Sequence, residues 1–158
     1  MLRKTLDPST HTRFDWDHWA TLRGRRAYVF AYRVAQINSE WHINYQREQD
    51  IVTGYHGLLY IDKATNTVLK ITLEAEDIPA AFPVQEARTT LDYDFQKIGD
   101  RDFLLPLKAV VRMRHGRYLT RNEMEFRLYR KFSAEAAITF DTTPEALPED
   151  KTKEQPPK

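Results

Sequence analysis

The chain has 158 residues, 41% of them hydrophobic, and its 24 basic and 23 acidic residues leave a net charge of +1. This length suits one domain with a packed core, and the near-zero charge excludes a long-range field that would draw the whole molecule to nucleic acid. The absence of cysteine excludes disulfides and thiol chemistry. No apolar run reaches the length of about 18 residues that spans a bilayer.

The chain begins with a polar segment. Residues 1–12 contain Pro8 and predict a flexible arm, without the apolar stretch of a signal peptide. We therefore expect an exported form to carry its signal upstream of Met1.

Two tryptophans stand out in the next segment. From Phe14 to Leu22 the apolar residues recur at helical spacing, which predicts a short N-terminal helix with Trp16 and Trp19 on one side. Exposing two tryptophans is costly. They either cover the edge of the core or line a ligand mouth or an interface.

Alternation of apolar and polar residues predicts about eight strands after this helix. These strands lie within residues 25–36, 41–45, 53–61, 67–74, 89–96, 103–115, 118–132 and 136–140. Short turns join most of them, so successive strands pair as an antiparallel meander, and a sheet of this size curls. The predicted fold class is mainly β, a half-barrel or open barrel with one short N-terminal helix.

Two proline-rich stretches mark boundaries. Residues 78–83 hold two prolines, which central strands do not tolerate, and are expected to form an apolar corner over the sheet. Residues 142–158 combine four prolines with mixed charges and predict a disordered tail. The predicted β domain therefore covers residues 13–141.

The central hairpin, residues 53–74, defines the two faces of the predicted sheet. We expect a loop at residues 62–66 and a register that puts Leu59 opposite Leu69. One face is then continuously apolar. The opposite face is expected to be wet, since its second strand carries Lys70, Thr72 and Glu74.

Catalytic and metal-binding arrangements are sparse. Asp92 and Asp94 share one strand face, and a small hydrolase that uses them is the third functional alternative. If Asn44 pairs with His56, then His42 lies diagonal to His56, but no acidic residue is placed to complete a ligand set. We therefore interpret the chain as a non-enzymatic protein with no cofactor and no metal.

Basic residues gather on two adjacent strands near the end of the predicted domain. They are Arg112, Arg114, Arg117, Arg121, Arg127, Arg130 and Lys131. Such a set suits anionic lipid heads or nucleic acid. However, Glu123 and Glu125 alternate with it, and cross-strand ion pairs account for that pattern. We expect no nucleic-acid partner, and a peripheral contact with an anionic membrane surface stays an alternative.

Two segments resemble a known group of bacterial proteins. Residues 57–71 form a strand, an Ile-Asp turn and a strand with spaced Thr, Val and Ile, and residues 92–95 and 103–106 form a strand, a glycine turn and a Leu-Pro. This pattern resembles the outer-membrane lipoprotein-sorting and lipoprotein-carrier proteins, the LolA/LolB-like half-barrel group. The resemblance implies a curled antiparallel sheet in the periplasm whose concave face holds acyl chains.

The functional hypothesis follows from the amount of apolar sheet. The inward side chains of eight strands exceed what one short helix can cover, and large open apolar patches are rare on soluble monomers. We therefore predict an extracytoplasmic binding domain that holds a lipid or another hydrophobic ligand on a concave apolar face. The alternative is an interaction module of the cell envelope that uses the same face or an edge, as a homodimer or with another protein. The predicted ligand-binding residues are Trp16, Trp19, Tyr32, Trp41, Tyr55, Phe82, Tyr93, Met113 and Phe126.

Overall fold

Eight antiparallel strands make up most of residues 1–130, the part of the chain that the computed structural model describes. The strands are β1 (Arg13–Leu22), β2 (Arg25–Val34), β3 (Trp41–Tyr45), β4 (Gln49–Asp62), β5 (Val68–Glu76), β6 (Val84–Ile98), β7 (Arg101–His115) and β8 (Tyr118–Glu125). A one-turn helix, α1 (Leu2–Thr5), precedes them, and short 3-10 turns lie at Pro8–Thr10 and Gln36–Asn38.

The strands form one sheet in the order β1-β2-β4-β5-β6-β7-β8, while β3 pairs with the first residues of β4. The sheet is curled and does not close, so β1 and β8 are its edges. This confirms the predicted fold class. The strand predicted at residues 136–140 and the tail predicted from residue 142 lie outside the described residues.

The curl brings the first hairpin next to β6, although β4 and β5 separate β2 from β6 in the sheet. Arg23, in the turn between β1 and β2, has its guanidinium 3.5 Å from a carboxylate oxygen of Asp92 and 3.5 Å from one of Asp94. β2 is buried on both of its faces. It buries Ala27 and Val29 on one face and Tyr32 and Val34 on the other.

The helix predicted at residues 14–22 is wrong, because this segment is the edge strand β1. Trp16 lies opposite Phe30 and His18 lies opposite Val29, so a β-bulge leaves Asp17 as an extra residue. The extra residue puts Trp16 and Trp19 on the same face of the strand, although side chains three apart normally point to opposite faces. Helical spacing and a bulged strand therefore gave the same sequence pattern.

The register predicted for the central hairpin is also wrong, by two residues. Leu59 lies opposite Ile71 rather than Leu69, and a bulge near the turn leaves Leu69 without a partner in the ladder between β4 and β5. The turn is widened by the Asp62 side chain, which accepts hydrogen bonds from the amides of Ala64 (2.7 Å) and Thr65 (3.3 Å). A shift of two residues keeps every side chain on its predicted face.

The apolar face is covered over its middle by elements of the chain itself. One cluster contains Tyr32, Tyr55, Leu59, Ile71 and Leu73, and Met1 and Leu2 of the N-terminal segment pack against it. A second cluster joins Ile43 of β3 to Phe82, Val84 and Ala87. The corner at residues 78–83 therefore lies over the sheet through Phe82, as expected.

Candidate functional site

An open groove of about 880 Å³ runs across the sheet; we call it the main groove. Its lining extends over six strands, from Asp15 on β1 to Arg112 on β7. It includes Lys70, Thr72 and Glu74, the polar side chains of the hairpin face that was expected to be wet. The concave side of the sheet is therefore this polar face and not the apolar one.

Small apolar and threonine side chains form the floor of the main groove. Ala31 on β2 lies opposite Leu58 on β4, and Thr72 on β5 lies opposite Thr90 on β6. Thr90 in turn lies opposite Val110 on β7. These residues, Ala31, Leu58, Thr72, Thr90 and Val110, are all half-buried; we call them the central lane. A narrow strip without charged side chains thus crosses five strands.

Charged side chains flank the central lane on both sides. The first flanking row contains Arg33, His56, Glu74, Arg88 and Arg112. The second contains Lys70, Asp92 and Lys108 on β5–β7 and is continued on β4 and β2 by the uncharged Tyr60 and Val29. Many of these groups are paired: Arg88 contacts Glu74 at 2.8 Å and Lys70 contacts Asp92 at 3.2 Å. The pairs hold polar groups at fixed positions along both sides of the lane.

The backbone ladder is interrupted in the centre of this groove, beside Gly57. The Tyr32 hydroxyl donates a hydrogen bond of 2.6 Å to the Thr72 carbonyl oxygen, and the Leu58 amide donates one of 2.9 Å to the Thr72 hydroxyl. Side chains therefore replace backbone partners between β4 and β5. Burial, and secondarily the neighbouring Tyr55 phenol, raise the pKa of Tyr32 well above its usual range.

His42 and His56, which the sequence predicts to lie diagonal to each other, are not neighbours in the sheet. β3 and β4 pair so that Asn44 lies opposite Asp50, hence the predicted pairing of Asn44 with His56 is wrong. The turn comes earlier than predicted, because β3 ends at Tyr45 and β4 already begins at Gln49.

Each of the two histidines has a carboxylate partner of its own. His42 Nδ1 lies 2.6 Å from an Asp50 oxygen, and His56 Nδ1 lies 2.8 Å from a Glu76 oxygen. Within residues 1–130 no group of three or more His, Asp or Glu side chains is arranged to hold a metal ion.

Asp92 and Asp94, the carboxylates of the hydrolase alternative, share a basic partner. The Arg23 guanidinium lies between them at 3.5 Å from each. The Lys70 ammonium adds a second cation beside Asp92. These contacts join the first hairpin to β6, which gives both carboxylates a structural role.

A second cavity, of about 600 Å³, lies on the apolar side; we call it the N-terminal cavity. Met1, Thr5 and Thr10 line it from the N-terminal segment, and Trp41 and Tyr55 line it from the sheet. The indole N–H of Trp41 is buried and has no hydrogen-bond partner among residues 1–130.

Three of the nine predicted ligand-binding residues line these two cavities. Tyr32 lines the main groove, while Trp41 and Tyr55 line the N-terminal cavity. Phe82 is buried in the second apolar cluster, and Met113 packs against it. Tyr32, Tyr55 and Trp41 pack together, with the Tyr55 ring centroid 6.2 Å from each of the other two, and Trp41 also packs against the cluster of Phe82. The five residues therefore belong mainly to the apolar core.

The other four predicted residues lie on the apolar face or near an edge. Trp16 and Trp19, 51% and 43% exposed, form an aromatic cluster with Tyr28 and Phe30 on β2. Tyr93 packs against the first apolar cluster, and Phe126 is exposed just after β8. These side chains were predicted from their residue type alone, and aromatic side chains are as common in a core as in a ligand-binding site.

The central lane was missed because its residues are not aromatic and lie on the face that was expected to be wet. A signal is present in the sequence. Thr72 sits between two charged residues of the alternating set, and Thr90 and Val110 also have charged residues two positions away. Short β-branched side chains within a charged strand face indicate an uncharged strip that no other part of the described chain covers.

Some of the basic residues on and near β7 and β8 pair with neighbouring glutamates, either those that alternate with them or Glu86 on β6. Lys108 lies 2.7 Å from Glu123 and lowers the pKa of that carboxyl by its hydrogen bond. Arg114 lies 3.2 Å from Glu86, and Arg127 pairs with Glu125. Lys131 lies outside the described residues.

Comparisons with known proteins leave the family open. No protein-family model, no curated protein and no solved structure matches the chain. The resemblance to lipoprotein carriers therefore stays a hypothesis. In the part of the chain that the structure describes, no helix combines the length and apolar character needed to cross a membrane.

Proposed function

We propose that this chain is a non-enzymatic binding domain and that the main groove holds an elongated amphiphilic molecule, such as a lipid with a polar head. The observation that carries the proposal is the central lane, an uncharged strip between two charged rows on the concave side of the sheet. An apolar chain fits the lane, and a polar or charged head fits the rows.

The size of the groove agrees with this class of ligand. Cavities that bind small molecules usually measure about 300–1,000 Å³ and combine an apolar lining with a few fixed polar groups. The main groove measures about 880 Å³ and has both kinds of lining. A wholly apolar ligand suits it less, because covering the charged rows without polar partners costs free energy.

The proposal moves the ligand from the apolar face to the polar one. The sequence hypothesis assumed an apolar face that lacks a cover, but α1, β3 and Phe82 cover the middle of that face. A carrier role in the cell envelope and an extracytoplasmic location remain part of the proposal and rest on the sequence resemblance.

A groove-filling substitution tests the proposal. Thr90 stands in the middle of the central lane, so T90W would fill the groove with an indole while keeping a residue that favours strands. We expect T90W to weaken binding of a fluorescent fatty acid, cis-parinaric acid, by at least about tenfold, since about 1.4 kcal/mol corresponds to that factor.

The matched control is T120W on β8, where Thr120 is exposed and lies outside the main groove. Lipids extracted from the purified protein and identified by mass spectrometry give an independent readout. The proposal is wrong if the wild-type chain takes up no amphiphile, or if T90W and T120W bind the probe equally well.

The second candidate function is an interaction module that pairs two copies of the chain along β1. It is favoured by the exposed pair Trp16 and Trp19, whose rings lie 5.4 Å apart on an edge strand. Edge strands with apolar side chains are templates for pairing. A dimeric mass in solution that reverts to the monomer in the double variant W16T/W19T would support it, whereas a monomeric wild-type protein would exclude it.

A further inference from the structure

Three arginines lie side by side at one end of the main groove. Arg88 on β6 lies directly opposite Arg112 on β7, and Arg112 lies directly opposite Arg121 on β8. Like charges that face each other across strands destabilise a sheet by a few tenths of a kcal/mol or more. The row is therefore a feature that sheet formation alone does not explain.

The middle arginine differs from its neighbours in its partners. Arg88 pairs with Glu74 at 2.8 Å and with Glu86 at 2.9 Å, and Arg121 pairs with Glu123. Arg112 forms no ion pair with any carboxylate of residues 1–130. Its side chain is exposed and lines the main groove. Among residues 1–130, Arg112 thus faces the space where the ligand is proposed to lie without an ion pair of its own, since Glu123, whose pKa its charge helps to lower, already pairs with Lys108 and Arg121.

Arg112 also lies close enough to the central lane to reach the head of a ligand bound there. It follows Val110 by two residues on the same face of β7, which corresponds to about 7 Å along the strand. The opposite end of the lane carries an acidic group, Asp15 on β1, which faces Ala31. The groove therefore has an acidic group at its β1 end and, at its β7 end, a cation that forms no ion pair with the described residues 1–130.

We propose that the ligand of the main groove carries an anionic head of the phosphate type and that Arg112 binds this head, with Arg88 and Arg121 beside it. This inference rests on the proposed function and specifies its ligand class. Guanidinium groups match tetrahedral oxyanions through paired N–H donors, so a row of arginines is suited to a phosphate. The chain of the ligand then runs along the central lane toward β1.

Isothermal titration calorimetry with three probes tests the inference: dodecyl phosphate, dodecyl maltoside and inorganic phosphate, each detergent below its micelle-forming concentration. We expect the wild-type protein to bind dodecyl phosphate at least about tenfold more tightly than dodecyl maltoside, since hydrogen bonds to charged groups contribute about that much. Inorganic phosphate, which lacks the chain, should bind more weakly than dodecyl phosphate.

The variants are R112Q and, as the matched control, R101Q. Arg101 is exposed at the turn between β6 and β7 and does not line the main groove, so R101Q removes the same charge elsewhere. We expect R112Q to weaken binding of dodecyl phosphate by about tenfold or more and to leave dodecyl maltoside unchanged. R101Q should change neither.

The outcomes separate the two proposals. If dodecyl phosphate and dodecyl maltoside bind the wild-type protein equally and R112Q has no effect, the anionic head is wrong while the amphiphile-binding groove stands. If inorganic phosphate binds as tightly as dodecyl phosphate, the arginines form a site for a free anion and the assignment to a ligand head fails. If no probe binds at all, the proposed function itself fails.

Discussion

At the residue scale, Gly57 allows β4 and β5 to approach each other closely in the groove. A Cβ atom on Gly57 would lie 2.7 Å from the Thr72 carbonyl carbon and 3.0 Å from the Tyr32 hydroxyl. Both distances are too short, and the Thr72 atom belongs to the backbone. The requirement for glycine is therefore one of space.

We predict that G57A lowers the free energy of unfolding by about 2–3 kcal/mol, because β4 and β5 must move apart. Urea unfolding measures this change. G99A is the comparison, since a Cβ atom on Gly99 would have no atom within 4 Å beyond its two chain neighbours, and only the backbone φ of +62° opposes a side chain there. G99A should cost about 1 kcal/mol, and a larger loss for G99A than for G57A would contradict the close approach.

Tyr32 makes the stability of the fold depend on alkaline pH. Because burial raises the pKa of this phenol, the folded state holds the proton more tightly than the unfolded state. The resulting stability is fully present below about pH 10 and is lost as the pH rises toward the folded-state value.

We predict that Y32F loses stability less steeply than the wild type between about pH 10 and pH 11.5. Urea unfolding at several pH values measures the slopes, and Y118F serves as the control for removal of an exposed phenol. At neutral pH, Y32F should cost about 1–2 kcal/mol, because the Thr72 carbonyl loses its donor. Equal slopes for the wild type and Y32F would show that Tyr32 is not the group responsible.

At the element scale, Asp62 determines the shape of the turn between β4 and β5. One carboxylate oxygen accepts from the Ala64 amide at 2.7 Å, and the other lies 2.8 Å from Arg25 Nε. The side chain is only 2% exposed, whereas Arg25 is about one-third exposed. The same carboxylate therefore shapes the turn and connects it to β2.

We predict that D62A lowers the free energy of unfolding by about 2–3 kcal/mol, through the loss of both contacts. D62N keeps an oxygen that can accept from the Ala64 amide and loses the ion pair, so it should cost less than D62A. Thermal unfolding of both variants measures the difference. Losses below about 0.5 kcal/mol for both variants would mean that the turn forms without Asp62.

Elements were predictable where the alternation was regular and failed where a bulge interrupted it. The strands that became β2, β5 and β6 have long runs of period two, and their faces follow from the sequence. In β7 a bulge at Leu107 puts Leu105 opposite Asp94, off the apolar face that the alternation predicts. In β1 one extra residue, Asp17, gave Trp16 and Trp19 a helical spacing. The unpaired Leu69 moved the central register by two residues without changing a face. Bulges depend on contacts between strands, and of these three only the one in β7 has a proline, Pro106, beside it to indicate it in the sequence.

At the scale of the whole molecule, the fold class could be predicted but the direction of the curl could not. Strands with one apolar and one polar face predict a curled meander. The same pattern fits a sheet that curls toward either face, so the sequence does not determine which face becomes concave. The contact of Arg23 with Asp92 and Asp94 joins residues about 70 positions apart, so no local pattern reveals it. The sequence therefore points to the apolar face, and only Tyr32 of the nine predicted residues lines the main groove.

The net charge of the chain also gives no information on where its charged side chains lie. A net charge of +1 suggests no preference for anions, yet ion pairs compensate most side chains of the groove and leave Arg112 without a carboxylate among residues 1–130. The position of Arg112, rather than the sum of charges, carries the inference about the ligand head.

Amide NMR spectra of the isotopically labelled protein, recorded during a titration with dodecyl phosphate, would locate the bound ligand residue by residue. We expect the largest shifts along the central lane, at Leu58, Thr72, Thr90 and Val110, with an extension to Arg112. Shifts confined to Trp41 and Tyr55 of the N-terminal cavity, or to the aromatic cluster on β1, would contradict binding in the main groove.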